Sequence, residues 1–565
     1  MKGFENKMKF QKMICLCIAT ALLITITGCQ DHSGSETETS VSTTQTSTTQ
    51  PPTTEPEPTA PARTPQAIGN MQLETLYYKP QMAAAVYCIN ARSLSKAQRA
   101  VIRCIQGLAA RNDTACIYMI TNENDTFWHD YTRDDYGVIF KNISYSELCS
   151  RYADQIKVLA VYDESTSHQY AVAQTYASVY DGIAVSRPEL DSLQHIFTQA
   201  EVVSLNETLT DPEQAADWLI ENLLPACNKN YIGIADIDSA YNDYLYATKT
   251  AVLTVDPEDA SQTAALTKLL SQSGYILPAV AMTDNDALTD LLSTYGFGAL
   301  DLNGFSNSTF LASFPVPEND PDLPVFTSQL TDGIRAYISI CIQNSDLAAN
   351  NSLNTLMSSA TRGSTPISVE LNPSFVELAP PVFNWYNTGR RASTSFHSTD
   401  TGYMQINADK MPDPVLQSFL LINQRFLHQC GLTVLSVDAI STQKLQLFSE
   451  HLYLNGILSS GVQNSKIIHE LPIIRCITID QLNDYTDYTL PQSEHVQFLC
   501  LYISASQLGS EPFDQLEKLV DQYQRQNDGK VEFLLAGNLI KTFQDYYNQQ
   551  QKASTTTGTM PSTAQ

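Results

Sequence analysis

The chain has 565 residues and a formal charge of −27, with 60 acidic residues against 33 lysines and arginines. A surface that negative repels nucleic acid and anionic headgroups, which excludes them as partners and leaves neutral or cationic ligands. At roughly 100–200 residues per domain, the length allows more than one core.

Residues 1–28 read as a lipoprotein signal peptide. Lys2, Lys7, Lys9 and Lys12 precede an apolar run from Met13 to Ile26, and Ile26-Thr-Gly-Cys29 follows. A short apolar run behind positive charge, closed by small residues, is a cleaved signal rather than a spanning helix. Cys29 directly after Thr-Gly resembles a bacterial lipobox. That resemblance implies a lipid-anchored Cys29 on the outer face of the membrane, at the cell surface; ordinary signal cleavage is the alternative. Residues 29–66 are rich in Ser, Thr, Pro and Glu, too poor in large apolar side chains to offset ordering entropy, and are expected to be a disordered tether. Residues 551–565 have the same character and read as a disordered tail.

Beyond Cys15, Cys17 and Cys29, nine of the 12 cysteines remain, an odd number with no C-x-x-C spacing. They sit in apolar runs such as Ile340-Cys-Ile342, so buried free thiols are expected, with a disulfide or metal framework as the weaker alternative.

From residue 67 a β/α alternation begins. Helices are expected at Ser95–Arg111, at Ser144–Ile156 with Ser144 as cap, and from Asp211-Pro212 to Leu224; strands are expected at Ala115–Ile120, Lys157–Tyr162 and Gly182–Val185. This gives an N-terminal parallel α/β domain, 67–227. A middle α/β domain, 228–325, contains strand-like runs at Tyr231–Ala235, Ala251–Thr254 and Ile276–Met282. The proline-rich stretch Pro315–Pro324 marks its end, since proline bars helix and central strand alike. No glycine-rich loop joins a strand to a helix, so nucleotide binding is unsupported and no cofactor is expected.

The C-terminal domain, 326–550, has strand-like runs at Arg335–Gln343, Pro366–Leu371, Leu432–Val437, Val496–Ser504 and Val531–Leu535. Helical runs lie near Leu347–Ser359, Pro414–Gln429, Thr442–Leu452, Pro512–Gln524 and Asn538–Asn548. This repeat fits a (β/α) barrel-like domain, with an open doubly wound sheet as the alternative. The expected fold class is therefore multidomain α/β, N-terminal parallel α/β domains followed by the barrel-like domain.

Two stretches carry a family resemblance. Gln106-Gly-Leu-Ala-Ala-Arg111 with Ala115-Cys-Ile-Tyr118, and Asn372-Pro373 through Leu378-Ala-Pro380 followed by Asp400-Thr-Gly-Tyr-Met-Gln-Ile406, resemble the GxGYxYP glycoside hydrolases. The name-giving motif keeps only its second Gly, Gly402, and its first Tyr, Tyr403. Where the family has an acidic D-G-D-N loop, this chain has Asn344-Ser-Asp-Leu347, so Asp346 is the matching carboxylate.

Glycoside hydrolysis needs two carboxyl groups flanking the bond, and barrel enzymes place them just past different strands. Asp346, Asp438 and Glu370 are the catalytic candidates, and Asn344, Asp400 and Tyr403 the substrate-binding ones, Tyr403 as a stacking platform. Trp385 is more at home in a core, as is Phe127-Trp-His129. His469-Glu470 has no metal-ligand spacing around it, so no metal site is expected. The reading is a cell-surface lipoprotein that acts on or binds carbohydrate. The replacements at Asn344 and Ser345 imply weakened or lost turnover, so enzyme or pseudoenzyme stays open. The alternatives are a non-catalytic surface-interaction protein and a solute-binding lipoprotein.

Overall fold

The computed structural model describes residues 76–557, except 85, 113–114, 206–208, 273–278, 284, 303–304, 318–322, 344–355, 359–362, 364, 480, 482–495 and 509–510. The chain divides after Gln66 into two units, and the described residues all belong to the second, Ala67–Gln565.

Three small parallel sheets come first. Strands β1 (Val86–Asn90), β2 (Cys116–Ile120) and β3 (Phe140–Asn142) are ordered β2-β1-β3. Strands β4 (Val158–Tyr162), β5 (Ile183–Ser186) and β6 (Glu201–Ser204) are ordered β5-β4-β6. Strands β7 (Tyr231–Ile234), β8 (Ala251–Leu253), β9 (Ala279–Thr283) and β10 (Phe297–Asp301) are ordered β10-β9-β7-β8.

The connecting helices start where the sequence supplies caps. Helix Lys96–Arg111 opens on a capping box, in which the Gln98 amide donates to the Ser95 hydroxyl and the Ser95 amide to the Gln98 side chain. Asp211 caps Pro212–Asn222, with Pro212 in the first turn. Ser144 caps its helix too, but that helix ends at Arg151, five residues short of the expected Ile156. Helices Glu123–Tyr136, Ser167–Val179 and Ala260–Gln272 had no clear signal in the sequence.

The C-terminal part closes on itself. Strands β11 (Ala336–Gln343), β12 (Ile367–Leu371), β13 (Thr394–Asp400), β14 (Val434–Ser436), β15 (Gly456–Ser459), β17 (Leu471–Thr478) and β18 (Gln497–Ser504) form a ring of seven parallel strands. β18 pairs with β11 along all eight residues, and β12 closes the ring by pairing Ile367–Val369 with Ile340–Ile342. The fold is thus a closed barrel rather than an open sheet. Its last strand, β19 (Val531–Phe533), pairs with Ala336–Ile338 and so occupies the N-terminal half of the seam that β12 fills above it. The antiparallel β16 (Lys466–Ile468) joins β17 through His469 and Glu470, both at positive φ (49° and 65°). That is the geometry of a two-residue hairpin turn, which accounts for the His-Glu pair without chemistry.

Side chains alternate between two cores. Tyr337, Cys341, Val434, Leu458, Ile474, Cys476, Phe498, Cys500 and Tyr502 fill the inside of the barrel, together with the helix beginning at Ala536. The intervening residues pack outward into the larger cluster shared with the preceding sheets. Burial on both faces is why β11 and β18 read as continuous apolar runs. All nine body cysteines are buried and free.

Loops at the barrel's C-terminal end bind it to the preceding sheet. Ala299 of β10 and Gln405 exchange backbone hydrogen bonds of 2.8 and 2.7 Å. Lys79 Nζ donates to the carbonyls of Phe314 and Glu377, both at 2.8 Å, and the buried Glu377 carboxylate pairs with Arg425 at 3.0 Å. Burial pushes the Lys79 ammonium down to about 8, against the opposing pull of Glu377.

Candidate active site

Three of the six chemical candidates come together. Glu370 is the fourth residue of β12, Asp400 ends β13, and Asp438 follows β14 by two residues. These are adjacent strands of the ring. Glu370 stands opposite His397 in the register, and a shift in pairing between Ser398 and Asp400 sets Asp400 opposite Ser436. The two-residue period then carries Asp438 to the same inner side, and all three carboxyl groups face the C-terminal mouth.

The mouth is held by backbone as well as side chain. The Asp438 amide donates to Asp400 Oδ1 at 3.1 Å, and the Thr401 amide donates to the Ser436 carbonyl at 2.8 Å. Ser460 Oγ donates to Asp438 Oδ1 at 3.0 Å. The amide of Gly461 donates to the Asp438 carbonyl at 2.6 Å, an approach only glycine permits, since a Cβ there would lie 2.4 Å from that oxygen.

The electrostatics separate the roles. Asp400 is half-buried, and its carboxyl is held well above its ordinary value. Loss of solvent is the main cause and the charges of Asp438 and then Glu370 add to it, against hydrogen bonds from the Asp438 and Thr401 amides. Asp438 is exposed to solvent and Glu370 is buried. The cluster therefore combines a carboxyl that keeps its proton with two others beside it, the division of labour that acid–base hydrolysis requires.

Below the carboxyl groups lies a residue that the sequence reading missed. His397 is fully buried, neither ring nitrogen has a hydrogen-bond partner among the described residues, and burial lowers it to about 3, so the imidazole is neutral. It stacks on Tyr502, ring centroids 6.4 Å apart, and Tyr502 Oη donates to Ser436 Oγ at 3.1 Å. The only available signal was its place three residues before Asp400.

Of the remaining candidates, Asn344 and Asp346 follow β11 by one and three residues and lie outside the described residues, as does Cys29. Tyr403 is not a stacking platform. It is fully buried, and its ring is stacked between Phe419 and Phe426 at 4.8 and 4.9 Å, so neither face is open to a sugar. Trp385 is half-buried, edge-on to Phe127, Trp128 and Tyr386. No group of three or more His, Cys, Asp or Glu among the described residues is placed to hold a metal ion.

Fold and mouth define a parallel α/β barrel with a carboxyl cluster at the C-terminal ends of its strands. Residues 85–154 match the GxGYxYP N-terminal first-domain model, and residues 335–499 match the model described as "GxGYxYP putative glycoside hydrolase C-terminal domain". The chain carries both domains of that family, in the family's order. Among solved structures, a "putative hydrolase" from Bacteroides thetaiotaomicron superposes with a TM-score of 0.70 at 16% identity, covering 83% of this chain and 97% of that one. At that identity the likeness is one of fold. No curated protein matches the chain.

Proposed function

We propose that the protein hydrolyses glycosidic bonds at the C-terminal mouth of the barrel. Asp400 is the acid that protonates the leaving oxygen, and Asp438 is the carboxylate acting opposite it, as base or nucleophile. Glu370 sustains the proton on Asp400 by its charge. The observation that carries this reading is the raised Asp400 carboxyl between two other carboxyl groups, on strands of a domain whose family is described as glycoside hydrolases. The strongly negative chain favours neutral glycans. The test is turnover on a panel of neutral glycans by wild type, Asp400→Asn and Asp438→Asn. Losses of roughly 10²–10⁴ in kcat are expected for each variant. The activity should fall as pH rises and Asp400 loses its proton. Variants as active as wild type overturn the assignment.

A second reading, carbohydrate binding with little or no turnover, rests on Asn344 and Ser345, which replace an acid and a glycine of the family's loop. Saturable glycan binding by wild type without product release selects it. In both readings the protein works at the cell surface, tethered through a lipid on Cys29.

A further inference from the structure

A cavity of about 500 Å³ opens at the other end of the barrel, near the start of β13. Thr394 and Ser395 line it, six residues and roughly 20 Å of strand away from Asp400. Arg390 and Arg391 line it as well, from the turn before β13, along with Leu535 and Asn538 at the start of helix Ala536–Thr557. None of the described residues that line it is acidic. In a chain of charge −27, two arginines with no acid among the described lining residues are a marked local reversal of sign.

The polar groups are arranged to receive a ligand. Arg390 is held in place: one terminal nitrogen donates to the Cys430 carbonyl at 2.9 Å, and its guanidinium lies 5.1 Å from the centre of the Phe396 ring. Its Nε, however, is buried without a hydrogen-bond partner among the described residues. Thr394 is only 4% exposed, and its hydroxyl is also without a partner among the described residues. Arg391 and Thr394 are pinned together, the Thr394 amide donating to the Arg391 carbonyl at 2.9 Å. The Ser395 hydroxyl is bonded to that of Ser368 at 2.7 Å, which in turn receives the amide of Ala536 at 2.9 Å and so fixes the start of the long helix at the cavity. A long helix presents partial positive charge at this end. Leaving a guanidinium nitrogen and a hydroxyl buried and unmatched costs free energy, which an acceptor oxygen would recover once the Arg390 and Thr394 side chains turn to meet a ligand in the cavity.

We propose that this cavity binds a small molecule by its oxyanion group, a carboxylate, sulfate or phosphate. Arg390 and Arg391 supply the charge, Thr394 supplies a hydroxyl donor, and Phe396 and Phe326 flank the remainder of the ligand. The cavity volume suits a ligand of sugar or small-acid size. The site is separate from the carboxyl cluster, and its test does not depend on turnover.

The experiment measures the thermal unfolding midpoint of the whole protein at constant ionic strength against rising inorganic phosphate, sulfate or acetate, with chloride as reference. Wild type should show a saturable rise with at least one of the three probes, and the best probe identifies the oxyanion. Arg390→Gln and Arg391→Gln should each weaken the apparent Kd about tenfold or more. Arg391 is exposed, so its variant decides the matter even if Arg390→Gln fails to fold, and Thr394→Val supplies a third check. No rise beyond that in chloride, or the same saturable rise in the Arg391→Gln and Thr394→Val proteins, overturns the proposal.

Discussion

The role proposed for Asp400 comes with a cost in stability. Its carboxyl is raised in the folded protein above the ordinary 3.8, chiefly by loss of solvent. The folded state therefore holds a proton that the unfolded chain has released once pH exceeds 3.8. Stability must fall as pH climbs through the window between those two values. Asp400→Asn removes that dependence while keeping an oxygen to accept from the Asp438 amide. Urea unfolding should give similar stabilities for variant and wild type at pH 4, and a more stable variant at pH 8. A wild type that grows more stable than the variant over that range contradicts the raised carboxyl. Glu370 and Asp438 were legible in the sequence because each ends or follows an apolar strand, and strand ends face one mouth in a parallel barrel; Asp400 was reached through the family motif and as a substrate-binding residue, since its strand carried no apolar run. His397 was not legible, because a single histidine among Thr394-Ser-Phe-His-Ser-Thr-Asp400 carries no periodic signal.

The family motif proves to be an element that builds the barrel's attachment to the sheet before it. Gly402 has φ 111°, and a Cβ there would lie 2.0 Å from Asn423 Oδ1. Asn423 accepts from the Tyr403 amide at 3.1 Å and donates to the Thr401 carbonyl at 2.9 Å, so it fills the space that glycine leaves. Two residues on, Gln405 pairs with Ala299 of the middle sheet. The retained Gly402 and Tyr403 thus have structural duties, the change at Gln405 falls on a position where backbone pairing does the work, and Ile406 packs into the core while its amide donates to the Thr401 hydroxyl. Gly402→Ala should destabilise by roughly 1–3 kcal/mol through steric crowding added to backbone strain. Gly333→Ala is the control, since Gly333 also has positive φ (87°) but nothing within 4 Å of its would-be Cβ. Equal shifts in the urea midpoint for both variants would show that strain alone matters and that Asn423 does not close on the glycine. The same element shows where periodicity failed. β13 lies between two buried strands but presents Ser395, His397 and Asp400 inward, so it lacked the apolar run that revealed β11 and β18. Closure at β12 and the intrusion of β19 are set by pairing between distant strands, which no local pattern encodes.

At the scale of the whole molecule, the described residues contain no helix long and apolar enough to cross a membrane. The membrane anchor proposed for the protein lies in the segment before residue 67, where Ile26-Thr-Gly-Cys29 would offer the lipid acceptor and residues 29–66 the reach. The proposed location outside the cytoplasm fits the −27 charge of the whole chain, which favours solubility. All nine body cysteines are free, which would suit a reducing or anoxic habitat there. Every one of them is buried, so none of the nine is open to acylation in the folded protein. Each buried methylene of an acyl chain contributes about 0.8 kcal/mol, and two chains hold a protein stably where one does not. Cys29→Ala should therefore move the protein from the membrane fraction to the medium, while Cys88→Ala, a change in the buried core, should leave the partition as in wild type. A Cys29→Ala protein that stays in the membrane fraction would rule out the lipid anchor.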